Sequence, residues 1–329
     1  MSQSLQSPRR WPGRVAVLAL LLTVATGVAH AEQTSVIVDG TTGLTLSESH
    51  ADDAHAPASL TKMMTLYLAF QALRDRRLTL DEKILVSAHA ASMEPTKLGL
   101  RRGQSITVRD CILGMITKSA NDAATVMAEK LGGSEARFVE AMNAQAILLG
   151  MGQTHFANAS GLPGGYETTT ARDMSRLAMA LYRDFPNRSH YFATTEFRFR
   201  GRLVKGHNHL LESYKGMDGL KTGYTHAAGY NLASTAVRDG HRLFGVVLGG
   251  DTWRSRDQRM AQLLDAGFAS RASLPTMIAD RSPSRHTHAA STTRRVLNAL
   301  SPIGTAEADP APAARPLRHA AGTSLKRPH

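Results

Sequence analysis

Ser59 and Lys62 lie three residues apart in Ser59-Leu60-Thr61-Lys62, a spacing that places a hydroxyl and an amine on one face of a helix. A serine hydroxyl attacks poorly until a neighbouring base takes its proton. A lysine can be that base only if burial and a second positive charge hold its pKa far below the usual value of roughly 10.4. Two further segments follow in order, Ser119-Ala120-Asn121 and Lys221-Thr222-Gly223. Lys221 offers the second cation. Each pattern occurs once, in a chain with only nine lysines. Alone, each is ordinary: a serine capping a helix, a polar loop, a turn beside a strand. Together, in one order and at subdomain-sized intervals, they read as a nucleophilic serine site.

Elements must bring these segments together. Leu60, Met63, Met64, Tyr67 and Leu68 predict a buried helix over 60–73 with Ser59 at its N-terminus, where backbone N–H groups favour a developing oxyanion. Further helices are expected over 109–115, 122–131, 134–149, 170–182 and 252–268. Strand patterns over 35–39 and 44–47 flank Gly40. A second pair, 230–237 and 242–248, is joined through Asp239-Gly240 and is expected to pair with the Lys-Thr-Gly strand. The fold class is therefore α+β: an antiparallel sheet flanked by helices, with an inserted helical subdomain and the site between the two parts.

The chain resembles the serine-type D-alanyl-D-alanine carboxypeptidases, the low-molecular-mass penicillin-binding proteins that trim peptidoglycan side chains. The likeness runs from about residue 35 to residue 269. It rests on Pro57-Ala58-Ser59-Leu60-Thr61-Lys62-Met63-Met64-Thr65, Lys118-Ser119-Ala120-Asn121-Asp122-Ala123-Ala124, Asn158-Ala159-Ser160-Gly161-Leu162, Asp218-Gly219-Leu220-Lys221-Thr222-Gly223-Tyr224-Thr225, Ala228-Gly229-Tyr230-Asn231-Leu232, and Gly249-Gly250 followed by Arg256. It implies a β-lactamase/transpeptidase-like fold. By the same resemblance, Ser59 is the nucleophile, Lys62 its base and Ser119 a proton relay. Asn121 holds the substrate backbone, while Lys221, Thr222 and Gly223 line the site of its terminal carboxylate, supported by Arg256. The backbone N–H groups of Ser59 and Tyr224 form the oxyanion hole. Many members carry His where this chain has Tyr224, a change that touches substrate preference but spares a main-chain donor.

The whole chain carries a net charge of +12. Residues 1–31 hold three arginines and no acid, and 281–329 hold eight basic and two acidic residues, which leaves +3 for 32–280. Basicity thus belongs to the ends, and a nucleic-acid-binding catalytic domain is not expected. Arg9, Arg10 and Arg14 precede the apolar run 15–24 and then Ala29-His30-Ala31, which reads as a secretory signal peptide over 1–31. A peptidase domain is expected over 32–274, and a basic tail without a packed core over 275–329. The tail offers at most weak membrane association, because 295–303 is short and broken by Ser301-Pro302. The expected address is the periplasm.

Cys111 is the only cysteine and reads as a small core residue. His207-Asn208-His209 and His286-Thr287-His288 lack the partners of a metal site and read as surface histidines. No cofactor is expected. The expected partners are peptidoglycan pentapeptide and, as acylating inhibitors, β-lactams. Three rivals stay open: an endopeptidase acting on cross-links, a non-catalytic cell-wall-binding protein, and a serine β-lactamase. The last needs a group to activate deacylating water, yet no Glu-x-x-Leu-Asn segment follows Ser119, and Glu167, the nearest carboxylate, lacks that context.

Overall fold

A computed structural model describes residues 33–272. The expected signal peptide, the tail and His286-Thr287-His288 lie outside the described residues. The chain opens with a hairpin of β1 (Thr34–Asp39) and β2 (Thr45–Ser49). A 3₁₀ turn, Ala58–Thr61, then leads into α1 (Lys62–Arg74). The inserted part follows, comprising β3 (Lys83–Leu85), α2 (Ala88–Ser92), β4 (Ser105–Thr107), α3 (Val108–Ile116), α4 (Asn121–Gly132), α5 (Glu135–Leu148) and α6 (Ala171–Asp184). A 3₁₀ segment over Pro186–Ala193, β5 (Glu196–Phe199), β6 (Arg202–Lys205) and α7 (Leu210–Ser213) complete it. The chain then returns to the sheet with β7 (Met217–Thr225), β8 (Gly229–Arg238) and β9 (His241–Gly250) and closes on α8 (Trp253–Ala272).

These strands form one antiparallel sheet in the order β2-β1-β9-β8-β7. Asp239 and Gly240 join β8 to β9 with φ of 51° and 76°, the two left-handed residues of a type I′ hairpin turn. Side-chain alternation gives the sheet two apolar faces. Ile37, Leu232, Leu243 and Val247 pack with Met260 and Leu264 of α8. Val36, Val38, Ala233, Phe244, Val246 and Leu248 join the larger core built on α1 and α6.

Sequence explains why the helices sit where they do. Ser87, Thr107, Ser134 and Thr170 each cap a helix, their side chains accepting an N–H from the first turn. The run Lys62 to Ala69 of α1 is wholly buried, and Phe70 meets Phe185, Tyr191 and Phe192 through its ring. A helix enclosed on all sides has no polar stripe. Cys111 lies in this core, and burial pushes its thiol well up from its usual range. The α+β arrangement with an inserted helical part is the one the sequence implied. None of the described helices is long and apolar enough to cross a membrane.

Candidate active site

The turn that carries Ser59 departs from expectation. Instead of starting an α-helix, Ser59 lies inside the 3₁₀ turn, and Lys62 is the first residue of α1. Pro57 precedes the turn, and Ala58 adopts a left-handed φ of 48°, which an alanine adopts only where its surroundings compel it. Two contacts hold the turn. The Asn231 amide donates to the Ala56 and Pro57 carbonyls at 3.0 and 3.2 Å and accepts from Gly249 N–H at 2.9 Å. On the other side Gly161, with φ of 77°, lies so close that a Cβ there would stand 1.8 Å from the Ala58 carbonyl oxygen.

Lys62 is fully buried. Its Nζ lies 3.1 Å from Ser59 Oγ, 2.7 Å from Asn121 Oδ1 and 2.6 Å from the Ser160 carbonyl oxygen. A neutral amine has two hydrogens and one lone pair. The two hydrogens suit the amide and carbonyl oxygens, which leaves the lone pair facing the serine hydroxyl. Burial first, and then the charge of Lys221, hold the Lys62 pKa well below its ordinary value, while Glu167 and Asp122 oppose that shift. The geometry and electrostatics therefore suit Lys62 to accept a proton from Ser59 Oγ.

Ser119 is buried, has a left-handed φ of 59°, and its hydroxyl has no hydrogen-bond partner. An unpaired buried hydroxyl on a strained residue marks a group reserved for something else. Two residues on, Asn121 opens α4. Its Oδ1 accepts from Lys62, and its Nδ2 donates to the Glu94 carbonyl at 2.8 Å. Each end of the amide keeps one bonding capacity to spare, and Asn121 orients Lys62. Behind it Asp122 gathers the N–H groups of Leu98, Gly99 and Leu100 at 2.9 to 3.0 Å.

Lys221, Thr222, Gly223 and Tyr224 lie on β7, at the edge of the sheet. Lys221 is 1 % exposed and donates to the Thr222 carbonyl; burial, then the Arg256 charge, bring its pKa down to about 7. A Cβ on Gly223 would stand 3.2 Å from Ser59 N and 3.3 Å from Leu60 N. Glycine thus allows the strand to approach the main-chain amide of Ser59. Tyr224 points outward, 52 % exposed, with its ring tilted against that of Tyr230 of β8, directly opposite in register. Arg256 on α8 is buried, bonded to Asp257 and to the Asn231 carbonyl. Gly250 makes room for it, since a Cβ there would meet Arg256 Cβ at 2.9 Å.

Two contributors have no role that residue type and spacing reveal: the Ser160 carbonyl, which meets Lys62, and Asn231, which holds the Ser59 turn. Asn158 was the available signal for the first. Its Oδ1 accepts from the N–H groups of Ser160, Gly161 and Leu162 and from Ser160 Oγ, which folds the loop against Lys62. No cluster of three or more His, Cys, Asp or Glu side chains placed to hold a metal ion, around His207 and His209 or elsewhere, occurs among the described residues. The His209 ring lies tilted against Trp253, and burial with nearby Lys221 and Lys118 brings the His207 pKa down to about 4.

The chain is similar to known proteins in sequence and in fold. The chain is 34% identical over 247 residues to D-alanyl-D-alanine carboxypeptidase DacF of Bacillus subtilis, covering 74% of this chain and 63% of that protein. It thus spans a little under two thirds of that relative's length. Penicillin-binding protein 5 of Haemophilus influenzae superposes with a TM-score of 0.69 at 32% identity, covering 72% of this chain and 70% of that one. Penicillin-binding protein D2 of Listeria monocytogenes, solved in an ampicillin-bound form, gives 0.66 at 33% identity, covering 71% of this chain and 96% of that one. Residues 22–252 match the peptidase S11 family, D-alanyl-D-alanine carboxypeptidase, and with the Ser59–Lys62 pair, the Ser119 turn and the Lys221 strand assembled as described, the chain belongs to that family.

Proposed function

We propose that this protein is a periplasmic serine-type D-alanyl-D-alanine carboxypeptidase that removes the terminal D-alanine from peptidoglycan pentapeptides. The observation that carries the reading is the fully buried Lys62 amine, 3.1 Å from Ser59 Oγ and beside a second buried amine of lowered pKa. Ser59 Oγ attacks the carbonyl carbon between the two D-alanines as its proton passes to Lys62. The oxyanion lies between the N–H groups of Ser59 and Tyr224, where β7 closes on the Ser59 turn. The C–N bond breaks as a proton travels through Ser119 to the leaving nitrogen. Water then attacks the ester, its oxygen bonding to the carbonyl carbon as it gives up a proton; the bond from that carbon to Ser59 Oγ breaks, Oγ regains a proton, and the shortened peptide leaves as a carboxylate.

Substrate binding follows from the edge position of β7. An edge strand presents unpaired main-chain groups, and an extended peptide can lie along them. Lys221, Thr222 and Arg256 supply positive charge and a hydroxyl for a terminal carboxylate, with Asn121 on the facing side. Penicillin carries a carboxylate in a comparable place. Export is supported by the arginine-flanked apolar run near the N-terminus.

Purified protein is tested with fluorescent penicillin, pentapeptide and cross-linked muropeptides. Wild type takes up the label and releases D-alanine from the pentapeptide, whereas Ser59→Ala does neither while keeping its circular dichroism spectrum. Label on Ser59→Ala would refute Ser59 as the nucleophile. Cleavage of cross-links in preference to pentapeptide would move the reading to an endopeptidase.

A further inference from the structure

Between Gly161 and Thr170 the chain carries one carboxylate, Glu167. It sits beside an isolated bridge that pairs His155 with Thr168. Its Oε1 accepts from Ala157 N–H at 3.4 Å, and Asn158 N–H is a second donor. Asn158 is the residue that gathers the loop around its own Oδ1, and in that loop the Ser160 carbonyl lies 2.6 Å from Lys62 Nζ. A short hydrogen-bonded path therefore joins Glu167 to the base.

Two carboxylates act on Lys62 through their charge, Glu167 and Asp122. The oxygens of Asp122 are occupied by the N–H groups of Leu98, Gly99, Leu100 and Ala123. Those of Glu135, which also holds this loop, are taken by Ala159 N–H and His89. Glu167 has the weaker hold, a single contact of 3.4 Å to Ala157 N–H beside that of Asn158, and burial raises its pKa to about 7. Further ionisable groups around the loop are His89 beyond Glu135, and His155 and Tyr166, whose ring centroids lie 5.9 Å apart, while Lys221 on β7 acts on Lys62 through its charge.

We propose that Glu167 is a positioning residue for acylation: it fixes the loop that sets Ser160 against Lys62, and its negative charge stabilises the ammonium formed when Lys62 takes the Ser59 proton. The inference rests on the acyl-serine reading above. No bond to Glu167 forms or breaks; the proton moves from Ser59 to Lys62 and onward to the leaving nitrogen. The sign of the effect follows. An ionised Glu167 favours the proton on Lys62, so removing the charge makes Lys62 easier to deprotonate and weaker as a base.

Glu167→Gln keeps an oxygen at the Ala157 N–H and removes the charge. The measurement is the rate constant for acylation by a fluorescent penicillin from about pH 5 to about pH 9 in wild type, Glu167→Gln and Glu167→Asp. In Glu167→Gln the plateau above about pH 7, where wild-type Glu167 is ionised, falls roughly threefold, the two curves converge towards about pH 5, where wild-type Glu167 is itself protonated, and the apparent midpoint of the acid limb moves down. Glu167→Asp keeps the wild-type midpoint. Curves lowered equally at every pH, with an unmoved midpoint, would show a purely structural residue and overturn the proposal. Absence of any covalent adduct in wild type would instead overturn the acyl-serine reading and this inference with it.

Discussion

At Lys62 a single atom is asked to be neutral in a place that offers three polar contacts, and the burial that removes water is what makes this possible. Arginine cannot meet that demand, because a guanidinium stays protonated at any working pH. Lys62→Arg is therefore expected to fold and to acylate at least about a thousandfold more slowly, within the range lost with a general base. Stopped-flow labelling with penicillin measures this, and a rate near that of wild type would remove Lys62 from the role of base. Wild-type acylation should fall as pH drops through the lowered Lys62 pKa, because only the unprotonated amine can accept the serine proton. The Ser59–Lys62 relation was legible in the sequence because a separation of three is a local geometric fact. The Ser160 carbonyl was not, because a main-chain oxygen leaves no mark on residue type and its contact with Lys62 spans 98 positions.

Among the elements, the loop from Asn158 to Leu162 matters most to the site, and its fit depends on one missing side chain. Gly161 combines a positive φ with a close approach to Ala58 and to Thr61 Oγ1. Gly161→Ala must both strain the backbone and push the loop away from the Ser59 turn. The expected cost is about 2 to 4 kcal/mol, read from urea unfolding. Acylation should fall further than the loss of folded protein explains, since the displaced carbonyl no longer holds Lys62. Unchanged kinetics in the folded fraction would mean that the loop packs without positioning. The 3₁₀ turn next to it escaped the sequence reading for a related reason. Apolar spacing after Ser59 continues the helical pattern of α1, and only the tertiary clamp from Asn231 and Gly161 tightens its first turn.

For the molecule as a whole, the central sheet and the long helices could be read from apolar period and turn chemistry, most clearly where Asp239-Gly240 closes a hairpin. The small sheets β3–β4 and β5–β6 could not. Strands of three and four residues carry too little alternation to register, and β3 finds its partner only after an intervening helix. The site lies where the sheet meets the inserted helices, so both must be folded before Lys62 and Lys221 are shut away from water. That enclosure has a thermodynamic consequence. The unfolded chain protonates Lys221 near 10.5, whereas the native state resists until about pH 7. Between these values the unfolded state binds more protons, so native stability rises with pH across that window, and below it the penalty is at its fullest. The active site is in this sense a standing weakness of the fold, on the order of a few kcal/mol at neutral pH. Lys221→Met, similar in length and without charge, should abolish D-alanine release yet raise the melting temperature at pH 7, with an advantage over wild type that shrinks towards pH 10. An advantage that stayed constant with pH, or a lower melting temperature, would contradict this. Catalytic competence and thermal endurance are then opposing demands on one ammonium group, and selection for a hardier protein would be expected to erase this lysine first.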